Sequence, residues 1–200
     1  MKKFIYFISP SKIDDKFYLN LKEVISSGKI AMFQLRLKNL QDFEIIKIAK
    51  KIQKITKRYK VKFIINDNPN IAKKINSNGC HIGQSDTSFE KTKIIIPNKI
   101  IGVTCHGSKK LINQAIKNNA NYIAIGSFFA SKLKPSAKKS DIKIIKWARK
   151  KTKKPIVVIG GINDKNYKRL IKLGANYIAI SSFIWNNPLL TPKLAIKKFI

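Results

Sequence analysis

Ala120-Asn121-Tyr122-Ile123-Ala124-Ile125 recurs letter for letter as Ala175-Asn176-Tyr177-Ile178-Ala179-Ile180, 55 residues further on. Its Tyr-Ile-Ala-Ile core, bounded by polar and small residues, reads as a short buried β-strand. Outward from these copies, apolar runs of β-type residues alternate with segments of helical spacing along the whole chain. Strands are expected at 4–9, 30–37, 61–65, 80–82, 100–104, 122–126, 156–159 and 177–180. Helices are expected at 16–27, 42–59, 69–76, 88–95, 108–118 and 141–151, from Asn163 or Asp164 to Leu173, and at 192–199. The second helix is the clearest, with Ile45, Ile48, Ala49, Ile52 and Ile55 on one stripe and lysines opposite. Gly28 and Gly174 stand where C-terminal caps belong.

That makes eight strand-then-helix units of about 25 residues, and the repeat spans two of them. No Asn-Gly or Asp-Gly turn joins two neighbouring strands, so hairpins are absent and the sheet is expected to be parallel. An α/β fold follows: a single (β/α)8 TIM barrel with eight parallel strands, in one domain spanning 1–200. A doubly wound open sheet is the competing arrangement. It would usually carry a glycine-rich turn after its first strand, where this chain has Ser9-Pro10-Ser11.

The chain carries a formal net charge of +32, with 42 basic residues against 10 acidic ones. Only Arg36, Arg58, Arg149 and Arg169 are arginines, and the lysines spread over every helix. Readers of phosphates and bases favour the bidentate arginine fork, so this excess reads as a solvated coat drawn from A/T-rich codons, with no specific nucleic-acid partner. There is no twenty-residue apolar run and no signal-peptide pattern, and Cys80 and Cys105 suggest no disulfide framework. The expectation is a soluble cytoplasmic protein without a membrane partner.

Phe33-Gln34-Leu35-Arg36-Leu37-Lys38 alternates polar and apolar residues, putting Gln34, Arg36 and Lys38 on one strand face and Leu35 and Leu37 on the other. With both faces covered by protein, those polar groups meet at the inner end of a buried strand, where an anion is expected. Barrel sites lie at the C-terminal strand ends. Those ends read Gln34, Arg36 and Lys38; Asn66 and Asp67; Gln84 and Asp86; Thr104 and His106; Ser127, Ser131 and Lys134; Gly160 and Gly161; Ser181 and Ser182. Asp67 and Asp86, on neighbouring strands, suggest a Mg²⁺ site, since that ion takes one or two carboxylates and leaves positions for water and phosphate oxygens. Gly160-Gly161 and Ser181-Ser182 stand where barrels commonly cradle a phosphate. Cys80-His81 and Cys105-His106 do not make a zinc set, because strand neighbours point to opposite faces. His81 is expected in the core or behind the site.

With these residues assembled, the chain resembles thiamine phosphate synthase along nearly its whole length. The resemblance rests on Gln34-Leu-Arg-Leu-Lys38, Ile65-Asn-Asp67, His81-Ile-Gly-Gln-Ser-Asp86, Gly102-Val-Thr-Cys-His106, Gly126-Ser-Phe-Phe, Ile159-Gly-Gly-Ile162 and Ser181-Ser182. The family joins a hydroxymethylpyrimidine diphosphate to a thiazole phosphate, giving thiamine phosphate and pyrophosphate. The resemblance implies that Gln34, Leu35, Arg36, Leu37, Lys38, Asn66, Thr104 and Lys134 hold the pyrimidine diphosphate. It implies Mg²⁺ on Asp67 and Asp86, and the thiazole phosphate on Ser131, Lys132, Leu133, Gly161, Ser181 and Ser182. Arg36, Lys38 and Lys134 would be the catalytic cations, steadying the departing pyrophosphate. The family usually shows Pro-Thr-x-Thr-Lys where this chain has Ala130-Ser-Lys-Leu-Lys134; Ser131 keeps a hydroxyl and Lys134 the charge, while Leu133 lacks a donor. A thiazole tautomerase-like barrel and a non-catalytic, basic RNA-associated barrel are the alternatives, and homo-oligomeric assembly is left open.

Overall fold

The computed structural model describes residues 3–130 and 139–199. Eight strands close into a barrel in chain order: β1 (Ile5–Ile8), β2 (Ile30–Leu35), β3 (Lys62–Asn66), β4 (Gly79–Ile82), β5 (Ile100–Thr104), β6 (Tyr122–Ile125), β7 (Ile156–Ile159) and β8 (Tyr177–Ile180). Every neighbouring pair is parallel, including β1 with β8. Helices α1 (Phe17–Ile25), α2 (Asp42–Arg58), α3 (Pro69–Lys74), α4 (Phe89–Ile95), α5 (Lys109–Lys117), α6 (Lys143–Lys151) and α7 (Tyr167–Lys172) connect successive strands. After β8 come α8 (Ser182–Trp185) and α9 (Pro192–Lys197). No helix among the described residues is long and apolar enough to cross a membrane.

Alternation along the strands divides the apolar residues into two bodies. The larger lies between strands and helices and includes Phe7, Phe33, Leu35, Phe63, Ile65, Cys80, Cys105, Val158 and Ile180. The smaller fills the barrel with Tyr6, Ile8, Met32, Ile64, Tyr122, Ala124, Val157 and Ala179. Gly102 supplies the space for one of these side chains: a Cβ there would stand 1.8 Å from Cζ of Tyr122. The repeated Ala-Asn-Tyr-Ile-Ala-Ile has a structural purpose too. The Asn121 side-chain oxygen accepts the N–H of Ile101, and Asn176 does the same for Ile156. Each asparagine thus satisfies an amide at the start of the preceding strand, its first or second, as Asn78 does for Phe63.

Most boundaries shift by one to three residues from the sequence reading, and two boundaries and one added helix bear on the site. The second strand stops at Leu35 instead of Leu37, because the Arg36 N–H turns to Ser9 Oγ at 2.9 Å. The helix expected from Asn163 or Asp164 starts at Tyr167: Asn163 Oδ1 takes the N–H groups of Lys165 and Asn166, making a side-chain-held turn of what would be the first helical turn. Finally, α8 was not expected from sequence. At four residues it is too short to show a helical period, and it is held by Trp185, which stacks on Phe7 and Phe17 and donates its Nε1–H to the carbonyl of Ile8 at 2.7 Å.

Candidate active site at the barrel mouth

The strand ends bring the polar residues of β2 to β5 together at one mouth. Although β2 ends early, its two-sided order persists. Gln34 points into the barrel, buried, and its Nε2 donates to the Tyr6 hydroxyl at 2.8 Å. Leu35 and Leu37 pack outward into the helix-facing core, so only their main chain is available to a ligand at the mouth. Arg36 is half-buried, and its guanidinium forms no hydrogen bond or ion pair with another described residue. Lys38, mostly exposed, lies 3.6 Å from Asp67.

Asp67 follows β3 in the left-handed region, with φ of 63°. Its N–H donates to the carbonyl of His81 at 2.7 Å, which turns the chain back over the mouth. Asp86 is anchored by accepting the Gly83 N–H at 2.7 Å, and its carboxyl comes within hydrogen-bonding reach of Asp67. Burial first, then that contact and the Asp86 charge, push the Asp67 pKa up, against the pull of Lys38 and Arg36. Two facing carboxylates, one half-buried, are a donor set that a divalent cation would satisfy. Among the described residues no third His, Cys, Asp or Glu joins them, so an ion there would draw its other ligands from water or substrate oxygens. A cavity of about 270 Å³ opens on the helix-facing side of Asp67, lined by Leu35, Leu37, Ile45, Ile65 and Ile71 with Lys38 and Asn66, and neither Arg36 nor Asp86 lines it. A larger one of about 370 Å³ lies outside the barrel, between α1 and α2, away from every strand-end residue.

Beneath the mouth runs a buried polar chain that reading the strand ends alone does not reveal. Tyr6 and Tyr122 hydroxyls are 2.7 Å apart, Tyr122 Oη is 2.9 Å from His81 Nδ1, and His81 Nε2 is 2.8 Å from Thr104 Oγ1. Gln84 Nε2 donates to the Thr104 carbonyl. Burial, reinforced by the Arg36 charge and opposed by Asp86, lowers the His81 pKa to about 4, so the ring is neutral. Burial raises the tyrosine pKa values as well. The signal in the sequence was parity: Tyr6, Gln34, His81 and Thr104 all occupy inward positions of their strands. Cys80 and Cys105 are buried on the other side of the wall, each thiol pushed up to about 12 chiefly by burial, so neither meets a histidine around a metal.

The far side of the mouth is built from glycines and serines. Gly160 has φ of 105°, and a Cβ there would stand 2.0 Å from Ser127 Oγ; Gly161 has φ of 58°, with Ala130 O at 2.3 Å from such a Cβ. Asn166, also not anticipated, donates its Nδ2–H to the Gly161 carbonyl at 3.0 Å. The Ser181 hydroxyl is already engaged, donating to the carbonyl of Ser9 at 3.1 Å, and Ser182 opens α8. His106 is exposed, at φ of 49°. Ser131, Lys132, Leu133 and Lys134 lie outside the described residues.

The model of the thiamine monophosphate synthase family matches residues 5–184. The chain belongs to that family. A thiamine-phosphate synthase of Pelagibacter ubique (strain HTCC1062) is 50% identical over 198 residues, covering 98% of this chain and 96% of the relative. One of Rhodospirillum centenum is 33% identical over 186 residues, covering 92% and 90%. The solved thiamine phosphate pyrophosphorylase of Pyrococcus furiosus superposes with a TM-score of 0.87 at 26% identity, covering 98% of this chain and 93% of that one. Membership in the thiamine monophosphate synthase family thus agrees with the fold read from the strand-and-helix pattern.

Proposed function

We propose that this chain is a thiamine-phosphate synthase, a transferase that joins 4-amino-2-methyl-5-hydroxymethylpyrimidine diphosphate to a thiazole phosphate, carboxylated or not, and releases pyrophosphate. Its partners would be these two small molecules, and its compartment the cytoplasm, in keeping with two buried free thiols. The observation that carries the reading is the convergence of Arg36, Lys38, Asp67 and Asp86 at one mouth, beside Asn66 and Thr104. A half-buried arginine that feels the Asp67 charge but makes no side-chain hydrogen bond or ion pair with a described residue suits a bound anion better than a structural role, since a desolvated cation is costly until it is closely paired.

The chemistry asks for little acid–base work. Cleavage of the carbon–oxygen bond at the pyrimidine methylene leaves a cation that the ring amino group delocalises, and the thiazole nitrogen captures it. The protein's task is to hold the two heterocycles in line, exclude water and receive the charge of the leaving pyrophosphate. Arg36 and Lys38 would receive it on the β2 side, with Gln34, Asn66 and Thr104 orienting the pyrimidine diphosphate. Asp67 and Asp86 fit Mg²⁺, which when bound would supply further positive charge to the diphosphate oxygens. Gly161, Ser182 and the main chain at Ser181 would approach the thiazole phosphate, with residues 131–133 as further contributors, while Lys134 would add its charge at the pyrimidine diphosphate.

The deciding assay mixes the purified protein with both heterocyclic phosphates and Mg²⁺ and follows thiamine phosphate and pyrophosphate. Equal formation of the two is expected, and Arg36→Ala should lower turnover by about 10²-fold or more. No thiamine phosphate, or an Arg36→Ala enzyme of normal rate, would reject the reading.

A further inference from the structure

The chain of hydrogen bonds under the mouth, Gln34–Tyr6–Tyr122–His81–Thr104, crosses the barrel interior on five different strands. Its links measure 2.8, 2.7, 2.9 and 2.8 Å, all within the range of good hydrogen bonds. Edge-on packing of Tyr6 against Tyr122 and the 9° stacking of His81 on Tyr122 hold the rings in place. Tyr6, Tyr122, Gln34 and His81 are each no more than 9% exposed, so water cannot relieve an unmatched hydrogen.

With Gln34 Nε2 turned to Tyr6, counting hydrogens leaves one arrangement, and a half-turn of that amide would reverse every link. Each tyrosine hydroxyl has one hydrogen and two neighbours in the chain, so it donates to one and accepts from the other. Gln34 presents Nε2, which can only donate, so Tyr6 accepts there and passes its hydrogen to Tyr122. Tyr122 must then give its hydrogen to His81 Nδ1, which leaves the imidazole hydrogen on Nε2 for Thr104 Oγ1. An imidazolium would offer hydrogens at both nitrogens and strand one against a buried donor. Thr104 accepts from His81, so its own hydrogen is the one link in the row without an acceptor among the described residues.

We propose that this row of hydrogen bonds is polarised in one direction, fixing His81 as the Nε2–H tautomer and obliging Thr104 to present a hydrogen, not a lone pair, to the pyrimidine diphosphate. Tyr6, Tyr122 and His81 are then positioning residues that act through Thr104. The inference rests on the proposed function for the identity of the ligand, but not for the state of the ring. A row of the opposite sense, with Gln34 Oε1 towards Tyr6, would turn Thr104 into an acceptor facing an anion.

The chain has two histidines, so its imidazole ¹⁵N–¹H spectrum is simple, and the His106→Asn variant identifies the signals of His81. In the substrate-free protein at pH 7, a neutral Nε2–H tautomer is expected; an Nδ1–H tautomer or an imidazolium overturns the proposal. Tyr6→Phe removes two links, those to Gln34 and Tyr122, and keeps the ring. It should turn the His81 signals into a tautomer mixture and lower kcat/KM for the pyrimidine diphosphate about 10-fold, the cost of one hydrogen bond, with KM for the thiazole phosphate unmoved. A folded Tyr6→Phe protein with an unchanged tautomer and unchanged kcat/KM overturns the proposal as well. Should that variant not fold, Thr104→Val and its rescue by Thr104→Ser decide the last link: loss with Val and recovery with Ser are expected, and equal activity in both refutes it. Absence of thiamine phosphate with the wild-type protein would refute the proposed function while the spectrum still decides the tautomer.

Discussion

Replacing Asp67 with asparagine should make the metal-free protein more stable at neutral pH. Asparagine is the informative choice because it tolerates the left-handed φ of 63° and can donate to Asp86, so only the charge changes. Two unit charges about 4 Å apart interact by about 1 kcal/mol in water and about 4 kcal/mol at an effective permittivity of about 20. Asp67 sits between those limits, with its side chain 30% exposed. Losing its pair with Lys38, whose side chain is 56% exposed, gives back less than about 1 kcal/mol. A net gain of about 1 kcal/mol remains, equivalent to about 2–4 °C in Tm for a chain of this size. Asp67 holds its proton more tightly folded than unfolded, so its contribution favours folding at low pH and is lost as pH rises through the folded value. The gain in Asp67→Asn should therefore vanish below the ordinary carboxylate range. Differential scanning calorimetry in EDTA at pH 7 and again in acid measures both ends, and a Mg²⁺ titration should raise the Tm of the wild type only. An Asp67→Asn protein that melts lower at pH 7 in EDTA, or gains as much from Mg²⁺ as the wild type, would refute the reasoning.

Gly161→Ala should destabilise the fold by about 1–2 kcal/mol for its left-handed φ alone and raise KM for the thiazole phosphate; unchanged melting and KM would show that the close approach to Ala130 is dispensable. His81 contributes in the opposite pH sense to Asp67: with its pKa lowered from 6.5 to about 4, its share of stability is complete above 6.5 and is lost as pH falls towards 4, about 3 kcal/mol at most. Urea unfolding of Asp67→Asn across that window isolates this slope, and a flat profile would contradict it. Cys80 and Cys105 should resist a thiol reagent at pH 8 until the protein is denatured, when both react; rapid native labelling of either would count against their burial.

The barrel was legible because each structural feature it needs leaves a mark in the sequence. Strands buried on both faces read as continuous apolar runs, and the amphipathic stripe of α2 fixes which side faces them. The carboxylates and cations were legible because strand ends can be counted. What escaped depends on contacts between distant strands. That Gly102 makes room for Tyr122, or that Tyr6 meets Gln34, follows from register around the closed sheet, which no local pattern encodes. Arg36 and Lys38 looked like strand residues because alternation continues past the last ladder bond; only the competing Ser9 hydroxyl reveals where the ladder ends. That the Ser181 hydroxyl donates to the carbonyl of Ser9, just past the first strand, is likewise a contact between distant strand ends.

That last contact sets the order in which the molecule can become competent during synthesis. Ser181 reaches Ser9 and Trp185 reaches Ile8 across almost the full length of the chain, and these bonds fasten the two ends of the sheet. Until the ribosome has released β8, β1 has no neighbour on one edge and the two halves of the mouth stand unjoined. Such long-range closure is slow compared with helix formation and leaves a sheet edge open meanwhile. Substrate binding is therefore a property the nascent polypeptide acquires only once β8 and α8 have been made and have met β1.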